Sequence, residues 1–127
     1  MFVPLLAADP SFQPIWNRYI EEWEGQELPQ YLALTDLARH LIAKLAIEET
    51  ESFDAIFGVV ERWQTEGEDY VAEAAVIGLL EDLQNKGLHV STEPDDFVPW
   101  LRPRSASWWE RLKDYWAGDP NALRDAS

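Results

Sequence analysis

The chain carries two histidines, and the first of them, His40, stands four residues after Asp36. At that spacing a carboxylate and an imidazole lie one above the other on a helix, where they can begin a metal site or hold each other as an ion pair. Lys44 takes the next turn of the same face and would repel a cation, so the expectation is a surface ion pair and no metal. His89 follows Asn85-Lys86-Gly87 and reads as a turn residue. A small enzyme built on His40 and nearby carboxylates, or on a His40–His89 dyad, would need a deep pocket joining those groups. There is no cysteine to act as nucleophile or thiolate ligand. The phosphate-cradling G-x-x-x-x-G-K-[ST], the dinucleotide G-x-G-x-x-G, the zinc-binding H-E-x-x-H, the G-x-S-x-G elbow and the EF-hand loop are also missing from the sequence. The reading is a non-enzyme with no catalytic residue, no metal and no cofactor.

Carboxylates supply the remaining chemistry. They recur as neighbours at Glu21-Glu22, Glu48-Glu49, Glu68-Asp69, Glu81-Asp82 and Asp95-Asp96. Successive helical residues point about 100° apart, so such pairs do not converge on one ligand and read first as a solvated acidic face. Density sets them apart: Glu21 to Asp96 hold 19 acidic side chains and four basic ones, within a chain of net charge -14. Glu48, Glu49, Glu51 and Asp54 gather at one helix junction, and Glu66, Glu68, Asp69 and Glu73 at the next. If both junctions open to one side, they form one negative surface suited to a basic protein. The partner-binding residues expected are Glu48, Glu49, Glu51, Asp54, Glu66, Glu68 and Asp69. The same charge repels phosphate backbones and anionic lipid, which argues against nucleic-acid and membrane partners.

Helical periodicity positions these groups. Phe12, Ile15, Trp16, Tyr19, Ile20 and Trp23 line one face of a helix that opens at Asp9 or Ser11 and stops at Gly25, with Pro10 and Pro14 in or near its first turn. A second helix follows Pro29, with Leu34, Leu37, Ala38, Leu41, Ile42 and Leu45 inward and Arg39, Lys44 and Glu48 outward. Hydroxyls of the Thr50-Glu51-Ser52 turn are placed to cap a third helix, whose inward set is Phe53, Ile56, Phe57, Val60 and Trp63. The fourth, from about Glu68 to Asn85, contains the unbroken apolar run Val76 to Leu80, too long for one face, and is expected at the centre. Gly87 is expected to end it in the left-handed conformation. Pro94, Pro99 and Pro103 predict a mostly extended stretch over 88–104, with at most a short turn from Pro94. Ser107 and Glu110 have capping-box spacing, and the helix they open presents Trp108, Trp109, Leu112, Tyr115 and Trp116. Mid-helix Gly58 and Gly78 are expected where helices pack closely.

These elements predict an all-α fold: a single domain of five or six helices in an orthogonal, HEAT-like bundle over residues 1–117, followed by a disordered tail over 118–127. With 127 residues, 46% of them hydrophobic, the chain can bury a real core. Of its seven tryptophans, Trp16, Trp23, Trp63, Trp108 and Trp116 fall on apolar stripes, whereas Trp100 and Trp109 are less constrained. The N-terminal MFVPLLAA run is too short and too uncharged for a signal peptide or membrane span. Together with the lack of cysteine it predicts a soluble cytoplasmic protein.

Residues 66–85, EGEDYVAEAAVIGLLEDLQN, resemble the second half of a HEAT-type helical hairpin. Combined with residues 100–116, WLRPRSASWWERLKDYW, they resemble a family of small, acidic, all-helical, uncharacterised bacterial proteins with a GLLE-x-LQN helix and an L-x-P-x-S-x-x-WW-x-x-L-x-x-x-W ending. Such proteins look like the immunity partners of polymorphic toxins. The resemblance implies an immunity protein that neutralises a basic toxin domain by binding it, and implies no active residue. A HEAT-like adaptor or assembly protein with a non-toxin cellular partner is the competing expectation.

Overall fold

The computed structural model describes residues 2–27 and 29–118. Among the described residues the apolar runs fold into seven α-helices: α1 (Phe2–Ala8), α2 (Gln13–Glu22), α3 (Gln30–Ala46), α4 (Phe53–Thr65), α5 (Asp69–Glu73), α6 (Glu81–Leu83) and α7 (Pro103–Trp116). A π-helical segment, Ala74–Leu80, joins α5 to α6, so these three make one continuous rod. The result is an all-α domain, with no strand among the described residues. Tighter 3₁₀ turns connect the rods at Pro10–Phe12, Lys86–Leu88 and Pro94–Trp100.

The run that fits no single helical face is the π segment. Its i→i+5 bonding places more residues in each turn than an α-helix does. Ala74, Ala75, Val76, Gly78, Leu79 and Leu80 are all buried there, against α3, α4 and α7. Gly78 is where α3 comes closest: a Cβ at that position would stand 3.0 Å from Leu34 Cδ1 and 3.3 Å from Tyr31 Cδ1. Close helix packing therefore explains this glycine, as expected.

Helix α4 links two aromatic clusters. At its C-terminal end Trp63 meets Phe2 edge-on at 5.9 Å, and Phe2 stacks on Trp16 at 4.5 Å. At its N-terminal end Phe53 packs on Phe57, Phe97 and Trp100, with centroids 6.1, 5.8 and 4.9 Å away. Fully burying one such ring contributes about 1.5–3 kcal/mol.

Several local expectations are corrected. Phe2–Ala8 forms a helix that anchors the core through Phe2 and Leu5, because Pro4 lies in its first turn, where a missing N–H costs little. Ser52 precedes α4 but makes no side-chain cap; instead the Phe53 N–H donates to the Thr50 carbonyl. Gly87 is not left-handed, since Asn85 Oδ1 accepts its N–H at 2.9 Å within a 3₁₀ turn. Pro94–Trp100 is helical along its whole length, closed by a reciprocal Glu93–Asp96 capping box. Trp116, expected on an apolar stripe, is 56% exposed; of the two less constrained tryptophans, Trp109 is buried and Trp100 part-exposed. The tail expected over 118–127 lies outside the described residues from 119 onward.

Helix α7 opens at Pro103, four residues before the Ser107 cap read from sequence. Its cap comes from another helix. The Glu61 carboxylate of α4 accepts the backbone N–H groups of Arg104 at 2.8 Å and Ser105 at 3.0 Å. Ser105 is fully buried, and its hydroxyl takes a 2.7 Å bond from Gln64 Nε2 while donating to Glu61. Two first-turn donors that no local side chain reaches are thereby satisfied. Glu61→Ala is expected to lower stability by about 1–2 kcal/mol, as loss of a helix cap does, and Glu61→Gln by a comparable amount, because its NH2 would face one of the two first-turn N–H donors; urea unfolding of the three chains measures both.

Candidate functional site

All seven carboxylates expected at an interface are exposed. Glu48, Glu49 and Glu51 lie in the link between α3 and α4 and Asp54 in the first turn of α4, whereas Glu66 and Glu68 follow α4 and Asp69 opens α5. The fold brings together the first four and, separately, the last three. A 13-residue helix stands between the two groups, and at 1.5 Å per residue it is about 20 Å long. Salt screens surface charges beyond about 8 Å at physiological ionic strength. The surface anticipated as one rim is thus two patches. Among the described residues only Asp54 of the seven has a cationic partner within ion-pair distance: Arg102 Nη2 lies 3.3 Å from its Oδ1, beside the bare backbone of Gly58.

Glu48 has an unusual backbone. It adopts φ +59°, the one left-handed non-glycine among the described residues. α3 ends there in a Schellman turn: the Glu49 N–H donates to the Lys44 carbonyl at 2.9 Å and the Glu48 N–H to the Leu45 carbonyl at 3.1 Å. The middle of that turn ordinarily holds glycine. Glu48 lines a groove of about 680 Å³ with Ile47, Thr50, Ser91, Thr92, Asp96 and Trp100. Asp96 and Trp100 were not legible as site residues, because the turn that carries them was expected to be extended. The part-exposed Trp100 was the available signal.

A second cleft, about 720 Å³, lies between the end of α6 and α7 and includes Gln84, Lys86, Glu93, Asp95, Lys113 and Trp116. Asp95 accepts from Trp109 Nε1 and from Lys113 Nζ, each at 3.0 Å. These two bonds hold its carboxyl below the ordinary range, while the bond to Asp95 raises the Lys113 amine. The charges of this cleft are internally matched.

His40 does not pair with Asp36. It meets Asp9, the only buried carboxylate among the described residues, with Nε2 3.1 Å from Asp9 Oδ2 and 3.1 Å from Ser11 Oγ. Lys44, expected to face outward, lies 3.3 Å from Asp9 Oδ1, and the Ser11 hydroxyl donates to the same oxygen. Serine, histidine and aspartate are the residues of a hydrolase triad, but a relay needs the carboxylate on one ring nitrogen and the hydroxyl on the other. Here both meet Nε2, and the serine donates to the aspartate directly, so the cluster is a clip fastening the α1–α2 turn to α3. His89 is tied elsewhere, to the Leu83 carbonyl at 2.8 Å and Thr92 Oγ1 at 2.7 Å, and shares no partner with His40. Among the described residues no three His, Asp or Glu side chains are grouped to hold a metal, and no helix is long and apolar enough to cross a membrane.

A protein-family pattern matches this chain over residues 2–117. The chain belongs to the DUF7674 family, a domain of unknown function. The matched span of this DUF7674 chain runs from α1 to the end of α7. No curated protein and no solved structure matches it.

Two expectations follow from the charged groups. Burial lowers His40 below its ordinary 6.5, opposed by Asp9 and reinforced by Lys44. Burial would raise Asp9, but the Ser11 bond and the charges of Lys44 and His40 outweigh it and hold the carboxyl below 3.8. Both groups then bind protons more readily in the unfolded chain. The His40 contribution is lost as pH falls below its unfolded value, and the Asp9 contribution lower still, through its folded value. Stability in urea should fall as pH drops below the ordinary histidine value of 6.5, and His40→Gln, which keeps a donor toward Asp9 without titrating, should flatten that slope; an equal slope in the variant would assign the dependence to other groups. Glu48→Gly, by relieving a left-handed side chain, should raise stability by about 0.5–1 kcal/mol in the same assay.

Proposed function

We propose that this DUF7674 chain is a non-catalytic protein-binding module that docks a basic protein through its acidic surface, with a cognate bacterial toxin domain as the partner. One observation supports the reading above all others: of the seven exposed carboxylates at the two ends of α4, six have no basic side chain at ion-pair distance among the described residues. Uncompensated surface charge of one sign steers a partner of the opposite sign and raises its association rate. It adds little to the stability of the fold itself. The sequence resemblance to toxin immunity partners names the class of basic protein, and the fold supplies a rigid helical frame on which the carboxylates are displayed.

The test is capture of partners from native cells with the tagged chain, washed at low and at high salt, followed by association kinetics. A single basic toxin-like protein in stoichiometric amount is the expected result. Recovery of a housekeeping assembly would replace the toxin with an adaptor role, and recovery of no basic protein would overturn the module reading. Because the patches are about 20 Å apart, Glu49→Lys and Asp69→Lys separate them: reversal in the patch that is used should slow association and shallow its salt dependence, while leaving the melting temperature unchanged.

A further inference from the structure

The groove beneath Glu48 extends that reading to a chemical preference, and rests on it. The apolar part of its lining comes from Leu45, Ala46 and Ile47 at the end of α3 and from Trp100. Ile47 is 64% exposed, and Trp100 is part-buried and fixed edge-to-face on Phe53 at 4.9 Å. Two carboxylates, Glu48 and Asp96, stand in its lining, with the hydroxyls of Thr50 and Ser91 beside them. No lining residue is basic. The nearest lysine along α3, Lys44, is turned to Asp9. Asp96 uses Oδ2 to accept the Glu93 N–H at 2.9 Å, which fixes the carboxylate in place through the capping box.

We infer that this groove is the anchor pocket for an arginine side chain of the basic partner. An occupant must match an apolar lining and a doubly negative rim at once. Arginine does so: its methylene stem covers apolar surface while its head stays polar, its guanidinium stacks on an indole, and its five donors serve two carboxylates and a hydroxyl together. The volume, about 680 Å³, falls within the roughly 300–1,000 Å³ of ligand sites and admits the side chain with flanking backbone. A second copy of this chain, net charge -14, would bring like charge to the rim. The left-handed Glu48 is consistent with this use: a position that backbone conformation alone would give to glycine carries the carboxylate that faces the pocket.

The probe is acetyl-Gly-Arg-Gly-amide, titrated at low salt into the full ¹⁵N-labelled chain, with the uncharged isostere acetyl-Gly-citrulline-Gly-amide as control. Saturable shifts confined to the amides of Ile47, Glu48, Ser91 and Thr92 and to the Trp100 indole N–H are expected with arginine and not with citrulline. Glu48→Gln and Trp100→Phe should each weaken that binding at least about threefold, with unchanged melting confirming that the variants are folded. Equal response to citrulline would overturn the pocket, as would non-saturating shifts spread over carboxylates at both ends of α4. The two readings fail separately. A captured basic protein whose binding ignores Glu48→Gln and Trp100→Phe but responds to Asp69→Lys refutes the pocket and keeps the module. Saturable arginine binding in the groove with no captured basic protein supports the pocket and refutes the partner.

Discussion

Segment Ala74–Leu80 buries six of its seven residues, and a helix so enclosed needs neighbours around most of its circumference. α3, α4 and α7 provide them, and the demands of that arrangement reach the surface. α3 comes closest where Gly78 leaves the backbone bare, opposite Tyr31 and Leu34 near its start, and it runs on from there to the Schellman turn at Glu48. The next link leads into α4, which packs on the same π segment and carries acidic clusters at both ends.

The charge of the molecule is organised at two levels. Inside, Asp9 is surrounded by Ser11, His40 and Lys44, so that the one buried carboxylate among the described residues is matched. Outside, the acidic side chains have few partners and the chain keeps its strong negative balance. The first arrangement holds the N-terminal turn to α3. The second leaves a field to act on whatever approaches, weakened beyond about 8 Å by physiological salt.

The all-α class and the inward faces of α3 and α4 were legible because 3.6-residue periodicity reports burial directly. Leu34, Leu37, Phe53, Ile56, Phe57, Val60 and Trp63 are all buried as the pattern implies. Periodicity failed where the determining partner is remote in sequence. His40 was given to Asp36, four residues away, because nothing local points to Asp9, 31 residues earlier. Trp116 was placed inward from its spacing with Trp109 and Leu112, but it lies in the last turn of α7 and is exposed. Of the candidate site, the acidic clusters and Glu48 were readable from spacing. Asp96 and Trp100 were not, since their position depends on a 3₁₀ turn docking against Phe53.

The cap on α7 ties the helix to a remote part of the chain. Its first-turn N–H groups are satisfied from a residue 43 positions earlier, so the helix cannot complete its own start, and an isolated peptide of 14 residues lies in the length range where helices in water are marginal. The start of α7, and the burial of Trp109 one turn further on, is thereby coupled to α4, so the stability of the last helix is not its own.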